Sequence, residues 1–280
     1  ALPVLLINTL ASPFHRGFFC DDQSLMHPFK PDTIPTWLLV VCSMGVPLIC
    51  ILVVECLLQK TTRFCVLVPT EIPTAQKSYV ELCYRSVVLF LFGAAITQLM
   101  TEIAKYTVGR LRPHFFDVCR PANLPANCSG IFITEDVCTG ENDFTMKQAR
   151  LSFCSGHASM SMYAATFVLI YLQARLTCSQ AKLVRPVLQV TVFCLALYTC
   201  FTRISDYKHH WSDVLGGAIL GIVFSMGDFH QTLLRRRPLL ASNSRKERLP
   251  MYRQNNTSSS SDIPSESQET IQVHIEPNPK

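Results

Sequence analysis

Long apolar runs recur along the chain as far as residue 234 and dominate its pattern of hydrophobic and polar positions. A helix needs about 20 apolar residues to cross a hydrocarbon core of about 30 Å. Five stretches reach or approach this length, approximately from Trp37 to Leu58, Ser86 to Ala104, Ala158 to Ala174, Pro186 to Phe201 and Val214 to Leu234. Lipid-exposed backbone must satisfy its own hydrogen bonds, and the runs are too long and continuous for barrel strands, so they predict transmembrane helices.

Residues 1–10, ALPVLLINTL, form a further apolar stretch that is too short to span a bilayer. Because the chain starts at Ala1 rather than Met, we interpret this stretch as the end of a truncated first span. A cleaved signal peptide is the alternative, since its apolar region is similarly short. With the remnant counted, the predicted fold class is all-α, a polytopic membrane bundle of six transmembrane helices.

The composition supports a membrane location. Of the 280 residues, 49% are hydrophobic and 16% are charged, whereas about 25% of the residues in an average soluble domain are charged. The net charge of +5 comes largely from short basic clusters beside apolar runs, so nucleic-acid binding is not indicated. Several of the 13 cysteines lie inside apolar runs, where thiols behave as small hydrophobes. No metal-binding spacing is visible, and we expect no metal or other cofactor.

Basic residues mark alternate loops as cytoplasmic, because positive charge is retained on that side of a membrane. They lie around Lys60 and Arg63, between Arg175 and Arg185, and at 235–237. The intervening loops then face outside, including the long loop 105–155. We expect a plasma-membrane protein with this loop extracellular; an internal membrane with a lumenal loop is the alternative.

The loop 105–155 carries two features of an oxidising, glycosylating compartment. Asn127 opens the sequon Asn127-Cys128-Ser129 and is a predicted glycosylation site, while the pairing among Cys119, Cys128 and Cys138 is left open. After residue 234 the composition turns to Ser, Asn, Gln and Pro. We therefore divide the chain into a membrane-embedded domain, 1–234, and a cytoplasmic tail, 235–280, which is predicted to be disordered.

Three polar clusters lie at the predicted outer ends of spans, and chain parity places all of them on one side of the membrane. The first contains Lys105 and Arg112, which are seven positions apart, or two helical turns. Both would project from one face of a continuing helix, where two cations suit an anion. Contact of these side chains with lipid headgroups is the alternative.

The second cluster contains Ser155, Gly156 and His157 at the start of a predicted helix. Ser155 stands at the N-cap position, and Gly156 allows close approach to backbone N–H groups that attract an anion. His157 would then be placed to donate a proton to a leaving oxygen. The alternative is an ordinary capped helix start with an interfacial histidine.

The third cluster contains Arg203, His209, His210 and Asp213. His209 and Asp213 are four apart, so on a helical turn the carboxylate would accept from one imidazole nitrogen and leave the other free to attack. Alternatively, Asp213 caps the last span and the histidines are interfacial. A metal site is disfavoured, because the neighbouring Lys and Arg side chains would repel a cation.

Together the clusters supply the positive donors, nucleophile and acid that phosphoryl transfer requires. At these residues the sequence resembles the lipid phosphate phosphatases of the type-2 phosphatidate phosphatase superfamily. Its three motifs are met by Lys105, Arg112 and Pro113; by Ser155, Gly156 and His157, with Cys154 in place of proline; and by Arg203, His209 and Asp213, with Thr202 in place of serine. The stretches RGFFCDD, GRLRPHF and SDYKHHWSDVL look like the animal branch of this family.

The resemblance implies a metal-independent enzyme that dephosphorylates phosphatidate, lysophosphatidate, sphingosine 1-phosphate and ceramide 1-phosphate. It implies that His209 carries the phosphoryl group, Asp213 orients His209, and His157 protonates the leaving lipid oxygen. Phosphate binding is implied for Lys105, Arg112, Ser155, Gly156 and Arg203. The implied partners are the lipid phosphate substrate and membrane lipids, and homo-oligomerisation is left open.

Three other functions are alternatives. A non-catalytic relative in signalling or adhesion would lack several motif residues, and all of them are present here. A phospholipid-headgroup transferase shares the His, His and Asp arrangement, but the complete first motif argues against it. A transporter would carry ionisable residues near mid-bilayer, whereas Glu55, Glu102 and Asp228 lie mostly near span ends.

Overall fold

The computed structural model describes residues 2–65, 72–122, 129–135, 137–176 and 183–228, with the side chains of 59–65 and 72–78 left out. In this part of the chain the helices are α1 (Leu2–Leu10), α2 (Thr36–Cys65), α3 (Ile72–Val108), α4 (Phe115–Cys119), α5 (Asp143–Ala149), α6 (Gly156–Arg175), α7 (Val184–Ser205) and α8 (211–228). A short 3-10 turn covers Gln23–Leu25. The predicted all-α fold class is confirmed.

One small antiparallel sheet joins the N-terminal segment to the long loop. Strand β1 (Phe18–Phe19) pairs with β2 (Phe132–Ile133), with Phe18 opposite Ile133. A disulfide between Cys119 and Cys138 closes the same loop, which decides part of the pairing that the sequence left open. Asn127, Cys128 and the tail 235–280 lie outside the described residues, so glycosylation and tail disorder stay predictions.

Three of the described helices are long and apolar enough to cross a membrane. Their membrane-length segments are Thr36–Leu58 in α2, Tyr79–Val108 in α3, and Val184–Ser205, the whole of α7. Exposed aliphatic side chains such as Val41, Val53, Val187 and Leu195 cover α2 and α7. These surfaces suit lipid rather than water, and they confirm a multi-pass membrane protein.

Helix α6 corresponds to another predicted span but is less apolar than these three. It packs against α2, α3 and α7, and much of it is buried, including Ser159, Ser161 and Tyr163. Because protein rather than lipid surrounds it, α6 tolerates polar residues that satisfy one another inside the bundle. For example, the hydroxyl oxygens of Thr101 on α3 and Ser159 lie 2.9 Å apart.

The described residues form three hydrophobic clusters. The first lies among α2, α3 and α6 and includes Ile51, Phe90, Tyr163 and Phe167. The second joins the N-terminal segment to the long loop and consists of Phe18, Leu25, Leu111, Phe115, Cys119 and Ala149. The third joins α6 to α7 and α8 and consists of Ala158, Met162, Ala165, Ala196, Cys200 and Val214. The end of the bundle that carries the polar clusters is hereafter called the site end.

Candidate active site

The structure brings the three predicted clusters together at the site end. They come from the end of α3 and the loop after it, from the start of α6, and from the end of α7 with the turn that leads to α8. The cluster residues Ser155, Arg203, His209 and Asp213 are all buried. A Cβ at Gly156 would lie 3.3 Å from Lys105 Nζ, so the first and second clusters are in contact, as chain parity predicts.

Four buried polar atoms at this site have no hydrogen-bond partner among the described residues. They are Arg112 Nε, Ser155 Oγ, Arg203 Nε and Arg203 Nη1. Buried polar groups are nearly always paired in folded proteins, and leaving a donor unpaired costs about 1–3 kcal/mol. Four donors from three parts of the chain, three of them on the cationic side chains of Arg112 and Arg203, form a site that suits an anion.

The local backbone leaves these donors available. Ser155 occupies the N-cap of α6 in an extended conformation, yet its side chain makes no capping hydrogen bond. Arg112 is held through its backbone, where its N–H donates to Ala149 O at 2.8 Å. The buried Glu102 accepts from Lys105 Nζ at 2.8 Å and holds the ammonium group beside Gly156.

His209 is oriented by a backbone carbonyl. Its Nδ1 lies 2.8 Å from Ser152 O, which assigns the proton to Nδ1 and leaves the Nε2 lone pair free. Burial, together with the charges of Arg112 and Arg203, holds the pKa of His209 well below its ordinary value. The imidazole is therefore neutral at physiological pH, as a nucleophile must be.

The structure shows no hydrogen bond between Asp213 and His209, unlike the direct hydrogen bond that their spacing predicted. Its carboxylate accepts from Arg110 Nη1 and Ser152 Oγ, both at 2.6 Å, and from the backbone N–H of His210 at 3.0 Å. The spacing argument assumed one continuous helical turn. Helix α7 ends at Ser205 and α8 begins at 211, so positions 209 and 213 do not share a helix.

Asp213 therefore has two roles. Its carboxylate accepts from the backbone N–H of His210 and so caps the start of α8. The alternative interpretation of this cluster also predicted a capping role for Asp213. It also reaches His209 indirectly, because Ser152 donates its hydroxyl proton to Asp213 and offers its carbonyl to the histidine. Burial alone would raise the pKa of Asp213, but hydrogen bonds from His210 and Ser152 and the charge of Arg110 outweigh it and lower the pKa.

His157 lies in the first turn of α6 and contacts a backbone carbonyl. Its Nε2 is 3.1 Å from Ile34 O. The other ring nitrogen, Nδ1, is therefore the one available for proton transfer. Burial and the charge of Arg203 lower the pKa of His157 to about 4. With no anion bound, His157 is consequently neutral near pH 7.

Sequence reasoning missed three residues at this site and one pairing. Arg110 belongs to the first polar cluster of the sequence, but its ion pair with Asp213 was not predicted. Ser152 stands beside the second motif, so its nearness to the site was visible although its role was not. Asp32 and Ile34 lie far away in sequence; Asp32 Oδ1 accepts from Arg203 Nη2 at 2.7 Å. Only the tertiary structure brings these two residues to the site.

Among the described residues, no group of three or more His, Cys, Asp or Glu side chains is arranged to hold a metal ion. The charged groups that face His209 are instead cationic side chains of the protein, namely Lys105, Arg112 and Arg203. The site is thus built for an anion.

Comparison with known proteins places this arrangement in a family. Residues 86–237 match the PAP2 superfamily. The chain is 44% identical over 225 residues to phospholipid phosphatase 1 of Rattus norvegicus, and the match covers 80% of this chain and 78% of that protein. It is 41% identical over 221 residues to phospholipid phosphatase 2 of Homo sapiens, covering 79% of this chain and 74% of that protein.

A third relative, named "Putative phosphatidate phosphatase", is from Drosophila melanogaster. It is 39% identical over 242 residues, and the match covers 80% of this chain but 63% of that longer protein. No solved structure matches the chain significantly. The chain belongs to the PAP2 superfamily, and within it to the group of the phospholipid phosphatases. This membership confirms the resemblance that rests on the three motifs, and with it the class of phosphatase enzymes.

Proposed function

We propose that this protein is a metal-independent phosphohydrolase of lipid phosphates that works through a phosphohistidine intermediate at the outer or lumenal membrane face. The observation that carries the proposal is the set of unpartnered donors on Arg112, Ser155 and Arg203 beside the free Nε2 of His209. A phosphate group supplies acceptors for all of these donors. Its charge also offsets the buried cations.

The first chemical step transfers the phosphoryl group to the enzyme. His209 Nε2 attacks phosphorus in line with the lipid oxygen, the new P–N bond forms and the P–O bond to the lipid breaks. The electron pair of the broken bond stays on the lipid oxygen, which takes a proton from His157 and leaves as the alcohol. Arg112, Ser155, Arg203 and the Lys105–Gly156 contact bind the phosphate oxygens.

The second step returns the enzyme to its starting state. Neutral His157 takes a proton from water while that water attacks phosphorus and the P–N bond breaks. Inorganic phosphate and a neutral His209 result. The Ser152 carbonyl accepts from His209 Nδ1–H in both steps, and so it stabilises the charge that the ring acquires in the intermediate.

Substrate binding gives His157 the proton that it needs as an acid. In the empty site, burial and Arg203 hold the pKa of His157 near 4. A phosphate dianion removes much of the repulsion by neutralising Arg203 and raises this pKa. His157 therefore becomes an acid when the leaving group is in place. Since the cations of the protein stand where a metal acts in other phosphoryl transfers, no metal is required.

Two exposed tryptophans support a substrate that is presented by a bilayer. Trp37 and Trp211 are the only tryptophans of the chain, and 67% and 68% of their surfaces are exposed. Each stands in the first turn of a helix, α2 or α8, at the site end. Tryptophan concentrates at membrane–water interfaces, which puts the headgroup level at the height of the site. The proposed substrates are phosphatidate, lysophosphatidate, sphingosine 1-phosphate and ceramide 1-phosphate.

The decisive measurement is phosphate release from lysophosphatidate by purified protein in the presence of a chelator. We expect turnover by the wild type, and a loss of at least about 10³-fold in His209→Ala, because this variant lacks the imidazole whose free Nε2 would attack phosphorus. His15→Ala, at an exposed position outside the site, is the matched control and should keep the wild-type activity. Chelator-sensitive turnover, or an active His209→Ala variant, would contradict the mechanism. A wild type without turnover on any of these lipids would favour the non-catalytic alternative.

A further inference from the structure

Residues 26–34, MHPFKPDTI, cross the active site although no motif includes them, and we call this segment the strap. Its first half is fixed to the loop that follows Arg112. The backbone N–H of His27 donates to Pro113 O at 3.0 Å, and the N–H of Phe29 donates to Asp117 Oδ2 at 2.8 Å. The ring of His27 stacks on Tyr207 with 4.3 Å between centroids. These contacts hold the strap in one place over the site.

The second half of the strap is fixed to the end of α7. The N–H and the hydroxyl of Thr33 donate to the two carboxylate oxygens of Asp206 at 2.8 and 2.7 Å. Asp206 is the C-cap of α7, three residues after Arg203. The attachment of Thr33 therefore fixes the height of Asp32 relative to the Arg203 guanidinium.

Asp32 forms an ion pair with Arg203 through a single nitrogen. Asp32 Oδ1 accepts from Nη2 at 2.7 Å, while Nε and Nη1 have no hydrogen-bond partner among the described residues. Arg203 Nη1 also lies 4.0 Å from Asp206 Oδ2, which is too far for a hydrogen bond. Lys208 Nζ lies 3.9 Å from the same oxygen. Burial alone would raise the pKa of Asp32, but the hydrogen bond and charge of Arg203 outweigh it and lower the pKa. Asp32 is ionised wherever the enzyme operates near neutral pH.

The strap also contacts the proposed acid. Ile34 O lies 3.1 Å from His157 Nε2, two residues beyond Asp32. One short segment thus contacts both Arg203, the proposed phosphate-binding side chain of the third motif, and His157, the proposed acid of the second motif. A hydrogen bond between a guanidinium and a carboxylate is stronger than one between neutral groups. It can therefore fix the orientation of a buried arginine whose other nitrogens have no partner.

We propose that Asp32 is a positioning residue that holds the Arg203 guanidinium with two nitrogens directed at the phosphate, an inference that rests on the function proposed above. Asp32 acts through Arg203 and does not touch the substrate. A carboxylate that merely filled the phosphate site would compete for the donors found free on Arg203. It takes neither Nε nor Nη1, so the geometry favours positioning over competition.

The test compares Asp32→Asn with Glu141→Gln, which removes a carboxylate exposed in the loop before α5. Lysophosphatidate hydrolysis and inhibition by inorganic phosphate are measured for both variants. For Asp32→Asn we expect kcat/KM to fall about 10- to 100-fold, the usual effect of losing a charged hydrogen bond. The inhibition constant of phosphate should rise by a similar factor. Glu141→Gln should match the wild type in both measurements.

A pH profile provides a readout that loss of folding alone would not move. His157 is faced by Arg203 from α7, Lys105 from α3, Asp32 from the strap, and His209 from the turn before α8. Removing the Asp32 charge lowers the pKa of His157, so the alkaline limb of kcat should move to lower pH in Asp32→Asn. The same limb should stay in place in Glu141→Gln.

Other outcomes would overturn the inference. Tighter phosphate inhibition and a lower KM in Asp32→Asn would show that the Asp32 carboxylate competes with phosphate, and unchanged kinetics would show that it has no role.

If Asp32→Asn does not purify in folded form, Thr33→Val is the second variant. It keeps the Asp32 carboxylate but removes one hydrogen bond to Asp206. We expect a smaller fall in kcat/KM than in Asp32→Asn, and an unchanged kcat/KM would overturn the inference. If the wild type is active and His209→Ala is inactive, the proposed function holds, and a failed test of Asp32 contradicts this inference alone. An inactive wild type would contradict the proposed function and this inference together.

Discussion

At the scale of single residues, the site depends on polar groups that the motif spacing does not connect. The proposed nucleophile His209 contacts the carbonyl of Ser152 through Nδ1, and the hydroxyl of the same serine donates to Asp213 at 2.6 Å. Arg110 pairs with the same carboxylate. In the proposed mechanism, Asp213 therefore acts on His209 through a serine that lies before the second motif.

Ser152→Ala tests this indirect link. The change removes the hydroxyl hydrogen bond to Asp213 and leaves Ser152 held by its backbone N–H, which donates to Arg110 O at 2.9 Å. We expect kcat to fall about 10-fold while KM changes little, because no phosphate-binding residue is altered. Ser205→Ala, at an exposed hydroxyl in the last turn of α7, is the matched control. Steady-state kinetics on lysophosphatidate measure both. Wild-type kcat in Ser152→Ala would mean that Asp213 reaches His209 without the serine.

At the scale of elements, the site requires α8 to approach α6 closely. A Cβ at Gly217 on α8 would lie 2.5 Å from Ser155 O, at the N-cap of α6. Real Cβ atoms do not come so near to a backbone oxygen, so only glycine permits this packing. The contact sets the position of Ser155, whose hydroxyl is one of the unpartnered donors.

Gly217→Ala should therefore displace the first turn of α6, lowering both the melting temperature and kcat/KM. The core of the bundle cannot yield without cost, and overpacking of this kind costs about 1–3 kcal/mol. Gly227→Ala on the same helix is the control. A Cβ there meets nothing within 4 Å, and alanine favours a helix over glycine by about 1 kcal/mol. Equal melting temperatures and activities for the two variants would contradict the packing argument.

At the scale of the whole molecule, the bundle collects buried histidines at one end and keeps them neutral. Burial lowers the pKa of His157 and of His114 to about 4, and that of His209 well below its ordinary value. An unfolded chain would protonate the same groups near pH 6.5. The folded state of the empty enzyme therefore binds fewer protons than the unfolded state between these values.

Stability should fall as the pH drops through this window. Because the folded-state pKa values are depressed, the stabilisation is complete above about pH 6.5 and is lost progressively toward pH 4. We expect the melting temperature of the purified protein to decrease from pH 7 to pH 5. His114→Gln should flatten this dependence, whereas His15→Gln, at an exposed position, should not. An equal slope in the two variants would contradict the assignment to buried histidines.

The sequence by itself determined the all-α membrane bundle, its family and the core residues of the site. Apolar runs of bilayer length leave little choice of secondary structure, because backbone in lipid must satisfy itself. Chain parity then brings helix ends to the same side, which is why Lys105, Ser155, Arg203 and His209 were predicted to meet. The roles of Asn127 and of the tail 235–280 stay predictions from sequence alone.

Only the tertiary structure decided how these residues are connected. The hydrogen-bond partners of Asp213 depend on where α7 ends and α8 begins. The four-residue spacing of His209 and Asp213 does not show that a turn between two helices separates them. Asp32 and Ile34 reach the site across more than a hundred positions of sequence, through contacts that no local pattern encodes. The long-range hydrogen bonds of the strap, and of Ser152 with Asp213, arise from packing in three dimensions, and this packing orients His209, His157 and Arg203.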